Sequence, residues 1–144
     1  MKIAVLGGGN MGGAIATGAI ASGSVADSDV TVSHPSDRLR ERFAALGYAS
    51  GFTTDNAAAV AGADMVVIAC KPWMVEQVSG DIRETITSCQ IIVSIAAGVT
   101  LDALAAGLLP ASRPLPPIFR VIPNTAIALG QSATFICHRG ASAT

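Results

Sequence analysis

Charged side chains are scarce in this sequence, 13% of 144 residues, and neither sign is in excess, nine Lys and Arg against ten Asp and Glu. That balance excludes the basic field that recruits nucleic acid or an anionic membrane surface, so any anion must be bound locally. No uninterrupted apolar run reaches the roughly 18 residues a bilayer demands, so the 51% hydrophobic content does not encode a membrane helix. Cysteine is sparse and unpaired. Cys70, Cys89 and Cys137 are odd in number and lack C-x-x-C spacing, which reads as buried thiols in a reducing cytoplasm. With only His34 and His138 to assist, no zinc site is expected. There is no Ser/His/Asp triad, no pair of carboxylates for acid–base work, no internal repeat and no low-complexity tract.

The length fits one domain of ordinary size with room for a real core. Globular chains usually carry about a quarter charged residues. A sequence this apolar is therefore expected either to bury surface in a partner or to be part of a longer protein.

What the sequence does have is glycine near its start. An apolar run, Lys2 to Leu6, passes directly into Gly7-x-Gly9-x-x-Gly12, and an Ala-rich helical stretch, Met11 to Ser22, follows. Gly7 permits the tight turn out of the strand, Gly9 lets backbone approach a pyrophosphate, and Gly12 lets the helix pack close to the strand. The N–H groups at the helix start then face the anion, aided by the helix dipole. A lone GxGxxG says little, but here both flanks meet the condition for a dinucleotide-binding turn. The same segment loosely imitates a secretory signal, with Lys2, an apolar run and small residues at 19–23. Six glycines and Asn10 between Gly7 and Gly18 break up any continuous apolar region, which argues against that reading.

Strand and helix signals then alternate, the pattern of an α/β fold: a Rossmann-like, doubly wound, mostly parallel sheet with helices on both faces. A second strand is expected at Val30 to Ser33. Ser36 is expected to cap a helix through Leu46 that stops at Gly47, with Leu39, Phe43 and Leu46 on its apolar side. A short third strand falls within 48–54, and Asp55 or Asn56 caps a brief helix, Ala57 to Ala61. Met65 to Ala69 and Ile91 to Ile95 read as central strands. Helices are predicted from Trp73 to about Thr87 and from Leu101 to Ala106, the second ended by Gly107 and Pro110. The proline-dense 113–117 stretch is an extended connector into a strand, Phe119 to Ile122, and Ala133 to Cys137 is the last strand. Trp73 and Tyr48, single aromatics, read as packing.

The end of the second strand selects between the nicotinamide cofactors, because an acidic residue there binds ribose hydroxyls and repels a 2′-phosphate. The sequence reads Val32-Ser33-His34-Pro35-Ser36-Asp37-Arg38, with no acid at the strand tip itself. Ser33 and Ser36 offer hydroxyls, His34 and Arg38 can add positive charge, and a helix beginning at Ser36 would aim N–H groups at a phosphate. NADP is therefore favoured, with NAD possible because of Asp37; Ser36 and Asp37 can equally be plain helix caps. Cys70-Lys71-Pro72 follows the fourth strand, on the edge where open α/β sheets bind ligands, and Lys71 there either reaches a ribose hydroxyl or phosphate or is simply solvated. Ser94-Ile-Ala-Ala-Gly98 leaves room for a flat ring or for helix packing. Asn124 and Thr125 either hold a turn or touch ligand.

Four segments together, Gly7 to Gly12, Ala69 to Pro72, Ser94 to Asp102 and Arg120 to Thr125, resemble the amino-terminal part of pyrroline-5-carboxylate reductases. The resemblance covers nearly the whole chain. It implies reduction of a small-molecule substrate, the cyclic imine 1-pyrroline-5-carboxylate, to L-proline with NADPH or NADH, by a homo-oligomeric enzyme of the cytoplasm. By position it assigns Leu6, Gly7, Gly8, Gly9, Asn10 and Met11 to the pyrophosphate loop, Ser33 to the 2′-phosphate region and Asn56 to the adenosine ribose. It places Ala69, Cys70, Lys71 and Pro72 with Ala96, Ala97 and Gly98 around the nicotinamide. Ala126 departs from the pattern, standing where a proline often follows the Asn-Thr pair. Members of that family are much longer, with a helical carboxyl-terminal domain that interlocks two subunits and completes the substrate pocket. Residues 1–144 are therefore expected to be the NAD(P)-binding domain, cut off before dimerisation, with no proton donor for the imine in this chain. Two rival readings are a related oxidoreductase domain of the β-hydroxyacid dehydrogenase or deazaflavin-linked type, against which the 94–102 segment speaks, and a non-enzymatic NADP-sensing module.

Overall fold

The two-residue alternation of the first strand divides the core in two. Strand β1 (Ile3–Leu6) sends Ala4 and Leu6 into one apolar cluster and Ile3 and Val5 into another, so it is buried on both faces. The computed structural model describes residues 1–48, 51–109, 114–124, 126, 129 and 131–142. They form one sheet from β1, β2 (Val30–Ser33), β3 (Phe52–Thr53), β4 (Met65–Ile68), β5 (Ile91–Ser94), β6 (Ile118–Ile122) and β7 (Phe135–Arg139), in the order β3-β2-β1-β4-β5-β6-β7. All neighbours are parallel except β6 and β7, which run antiparallel with Phe119 opposite His138.

The chain steps outward from β1 to β3 and then returns to lay β4 on the other side of β1. Strand order reverses there, and sheets of this kind open a crevice at the carboxyl ends of the strands flanking that point. Leu6 is level with Ser33 and Ile68, and Ile68 with Ser94, so the residues that follow all leave the sheet along one edge.

Helices α1 (Asn10–Ala21) and α2 (Arg38–Ala45) bring Ala16 and Phe43 to the face holding Val5, Val32 and Val67. On the other face α3 (Asn56–Val60), α4 (Val75–Ile82) and α5 (Leu101–Leu108) pack Val60, Ile82 and Leu104 over Leu6, Ile68, Ile92 and Ile118. Asp55 begins α3 by accepting the N–H groups of Ala57 and Ala58 at 2.9 and 3.1 Å, and Thr100 begins α5 by accepting that of Ala103 at 3.1 Å.

Several local expectations are corrected. Helix α2 starts at Arg38 and Ser36 is not its cap; Ser36 lies in a turn, its Oγ accepting the Arg38 N–H at 3.4 Å while its own N–H donates to His34 Nδ1 at 3.1 Å. The 73–87 helix is divided into a 3-10 turn at Pro72–Met74 and α4, which stops at Ile82. The β-branched Thr85-Ile86-Thr87 that follows disfavours helix, and Gln90 takes the Thr87 N–H at 2.8 Å. Gly107 lies inside α5 rather than ending it. A Cβ there would sit 3.0 Å from the Ser79 Cβ, so glycine is what lets α5 approach α4. Strand β7 begins two residues later than predicted and ends before Gly140, whose φ is +78°. Trp73 is 78% exposed and packs nothing away, whereas Tyr48 joins the cluster around Phe43. The thiols are not all buried: Cys70 is half-buried, but Cys89 and Cys137 are exposed, in a turn and on the edge strand. Pro110 lies outside the described residues.

Gln90 fastens the underside of the sheet. It is buried, its Nε2 donating to the carbonyls of Val60 and Ala63 at 2.9 and 2.8 Å while its Oε1 receives Thr87. Gln90→Leu strands the Thr87 N–H and the Ala63 carbonyl, while the Val60 carbonyl keeps the Ala63 N–H at 3.1 Å. At roughly 1 kcal/mol each the expected loss is about 2 kcal/mol, measured as a lower urea midpoint at unchanged slope.

Candidate functional site

The glycine turn after β1 is shaped by what a methyl group would strike. Gly7 has φ +106°, and a Cβ there would lie 2.8 Å from the Ala69 carbonyl and the Cys70 nitrogen. At Gly12 it would run into the Gly7 carbonyl oxygen and come within 2.9 Å of the Ala69 Cβ; at Gly8 it would meet Val32 Cγ1 at 2.9 Å. Gly9 is the opposite case. Its Cβ would meet nothing within 4 Å. It precedes α1 without any side-chain cap, and no acidic residue stands in the first turn. The N–H groups that a helix leaves without intrahelical partners at its start thus face an open, anion-ready concavity.

That concavity is a cleft of about 720 Å³ along the carboxyl edge of the sheet. It gathers fourteen of the predicted residues: Leu6, Gly7, Gly9, Asn10 and Met11 from the first turn, Ser33 and His34 from the β2 tip, Asn56 from α3, Ala69 to Pro72 beyond β4, and Ala96 and Ala97 beyond β5. Gly8 and Gly12 are buried beneath the turn. Ser36 and Gly98 do not line the cleft. Asn124 holds a turn, its Oδ1 accepting the Ala126 N–H at 3.1 Å and its own N–H donating to Ser132 Oγ at 2.9 Å. Thr125 lies outside the described residues. A second groove, of about 460 Å³, runs between α1 and α2 beside Thr17, Arg42 and Tyr48 and meets the cleft at Asn10.

Sequence reading missed Thr54, Met74, Gln77 and Asp81, all in the cleft wall. Positions 74, 77, 78 and 81 share one side of a helix by spacing alone. The signal was the presence of Gln77 and Asp81 on a stripe that otherwise carries apolar Met74 and Val78.

The polar groups of the wall are coupled. Ser33, 1% exposed, donates its hydroxyl to Asn56 Oδ1 at 2.7 Å, and Asn56 Nδ2 donates to Asp81 Oδ2 at 2.9 Å. The His34 ring accepts a backbone N–H at Nδ1, so its Nε2 is the donor. Burial pushes the Cys70 thiol up from 9.0 to about 11 against a smaller lowering by a backbone hydrogen bond, so it stays neutral at pH 7. Among the described residues lining the cleft, Lys71 is the only lysine or arginine.

Fold and site together define a Rossmann-like domain of the dinucleotide-binding class. The chain belongs to the family described as NADP oxidoreductase, coenzyme F420-dependent, which matches residues 2–98. It is 32% identical over 140 residues to pyrroline-5-carboxylate reductase 3 of Xenopus laevis, an alignment covering 97% of this chain and 48% of that protein. The solved pyrroline-5-carboxylate reductase of Coxiella burnetii superposes with a TM-score of 0.83 at 30% identity, over 96% of this chain and 50% of the other. The Plasmodium falciparum pyrroline carboxylate reductase, solved with NADP bound, superposes equally well at 21% identity, over all of this chain and 50% of its own, a likeness of fold. The chain spans about half the length of the curated relatives it matches.

Two predictions follow from the geometry. Gly9→Ala leaves the melting temperature within about 2 °C of wild type, since nothing is displaced, whereas Gly12→Ala costs about 1–3 kcal/mol by forcing α1 off the strand; thermal melts by circular dichroism measure both. At pH 8 iodoacetamide should label exposed Cys89 and Cys137 well before Cys70, whose alkylation accelerates only as pH nears 11. Peptide mass spectrometry over time reads the order.

Proposed function

We propose that this chain is the cofactor-binding half of a pyrroline-5-carboxylate reductase, binding NADPH in preference to NADH and presenting it to 1-pyrroline-5-carboxylate. The observation that carries the reading is the cradle at the strand-order reversal: a turn closed to any side chain at Gly7 and Gly12, open at Gly9, and backed by the uncapped start of α1. The family match ends at residue 98, while identity to the reductases runs over 140 residues, which favours them over the F420-linked enzymes for which the family is described.

A nicotinamide cofactor bound here supplies the hydride. The protein's part is positioning and management of charge. The amides after Gly9 hold the pyrophosphate. Ser33, His34 and Asn56 surround the adenosine ribose, with the His34 Nε2–H as a donor. Ala69 to Pro72 and the small side chains of Ala96 and Ala97 leave a slot for the flat ring. Cys70, kept as a neutral thiol, adds no negative charge beside that ring, while the Lys71 ammonium orients an anionic group at the mouth. Closure of the pocket around the substrate carboxylate and protonation of the imine fall to the helical domain that the resemblance implies, in a homo-oligomer.

Titration of residues 1–144 with NADPH, followed by fluorescence, should show binding that Gly9→Val weakens at least about tenfold, or 1.4 kcal/mol, with the circular dichroism spectrum unchanged. NADPH consumption with pyrroline-5-carboxylate, run beside a full-length reductase at matched concentration, should be at least about tenfold slower for residues 1–144 alone, because binding half the site does not orient both reactants. Failure of wild-type protein to bind either dinucleotide would end this reading. Binding without turnover even after a reductase carboxyl-terminal half is joined to Thr144 would favour the sensing module.

A further inference from the structure

The hydrogen-bond chain from Ser33 to Asp81 has a direction, and Asp81 sets it. A carboxylate only accepts, so the Asn56 group facing Asp81 must be its NH₂, and the amide oxygen is thereby turned toward Ser33. An amide oxygen only accepts as well, so the Ser33 hydroxyl must donate. Its single proton is taken up inside the wall. What Ser33 can still offer a ligand is a lone pair, and what Asn56 can still offer is one N–H.

A ribose 2′-hydroxyl can use both. It donates to one group and accepts from the other. A 2′-phosphate is rich in acceptor oxygens and needs donors, and it meets a serine whose proton is engaged and, in the same cleft, the negative charge of Asp81. We propose that Asp81, acting through Asn56, is a positioning residue that limits how strongly NADPH is favoured over NADH, by holding the Ser33 proton away from the 2′-phosphate. This rests on reading the Ser33 end of the cleft as the adenosine ribose subsite. When the residue at 81 can also donate, Asn56 is free to turn over, give its N–H to Ser33 Oγ, and release the Ser33 proton toward a phosphate. The donor count of the subsite is thus fixed from α4, five elements along the chain from β2, rather than by the strand-end residue alone.

The test is a set of dissociation constants for NADPH and NADH measured on wild type, Asp81→Asn, Ser33→Ala and the double variant. Asp81 is an exposed helical residue, so Asn is accommodated without repacking. Asp81→Asn should shift the ratio toward NADPH by about tenfold, the worth of one hydrogen bond to a charged group. On the Ser33→Ala background the same change should move the ratio less than about threefold, because the proton it releases is gone. An unchanged ratio in Asp81→Asn overturns the inference. So does an equal shift on both backgrounds that fades at high salt, since Asp81 would then act by charge alone. If wild-type protein binds neither dinucleotide, the ribose reading of the cleft falls and this inference with it.

Discussion

The start of α1 lies against the ends of β1 and β4 because no Cβ stands between Gly12 and the Gly7 carbonyl, or between Gly7 and the Ala69–Cys70 peptide. Every other feature of the cleft is measured from that contact. It brings the amides of the first helical turn to the point where strand order reverses, and it leaves Gly9 as the one loop position with space in front of it. The helix is poorly suited to hold itself there by apolar burial, since its buried residues are only Gly12 and Ala16. Shape at two glycines does what a hydrophobic face does for α4 and α5. A methyl group at either would lift the helix and with it the floor of the site.

This is also why the site was half legible in the sequence. Glycines that exclude side chains leave a fixed spacing, and short apolar runs mark strands, so β1, β2 and the turn fall where the pattern puts them. Ser33 and Asn56 were reached as separate residues, but that one donates to the other is a fact of register, with Ser33 at the tip of β2 and Asn56 opening α3. Asp81 was illegible because its relevance depends on the phase of α4, and that phase is set by where the Pro72–Met74 turn ends. Gly107 was misread for a related reason: a glycine near a helix end looks like a stop unless the neighbouring helix, here with Ser79 3.0 Å from the absent Cβ, is known to be present.

The low charge content has a structural source. Strands β1 and β4 are covered on both sides, so residues that would alternate with polar ones in a one-sided sheet are apolar throughout. The covering weakens toward the antiparallel edge. All five residues of β7 are exposed, Phe135 by 74% and Ile136 by 64%. Two large apolar side chains on opposite faces of an edge strand are not a solvated surface by design, and natural sheets usually blunt such edges with charge. In β7 that charge is Arg139, which is paired with Asp102.

Ser33 shows how core and site constrain each other. A hydroxyl 1% exposed must be hydrogen-bonded or it destabilises the strand tip. Asn56 satisfies it, but an amide has two unlike ends, and satisfying Ser33 with the oxygen leaves the NH₂ to be matched elsewhere. Asp81 supplies that match from α4. The same three groups therefore satisfy a buried polar atom, tie α3 to α4 and fix which hydrogen-bonding face the cleft shows. No member can be changed for the sake of one role without altering the others, so a change of ligand preference at this end of the cleft is most economically made at Asp81. That residue lies at the exposed end of the chain, where the cost to the fold is least.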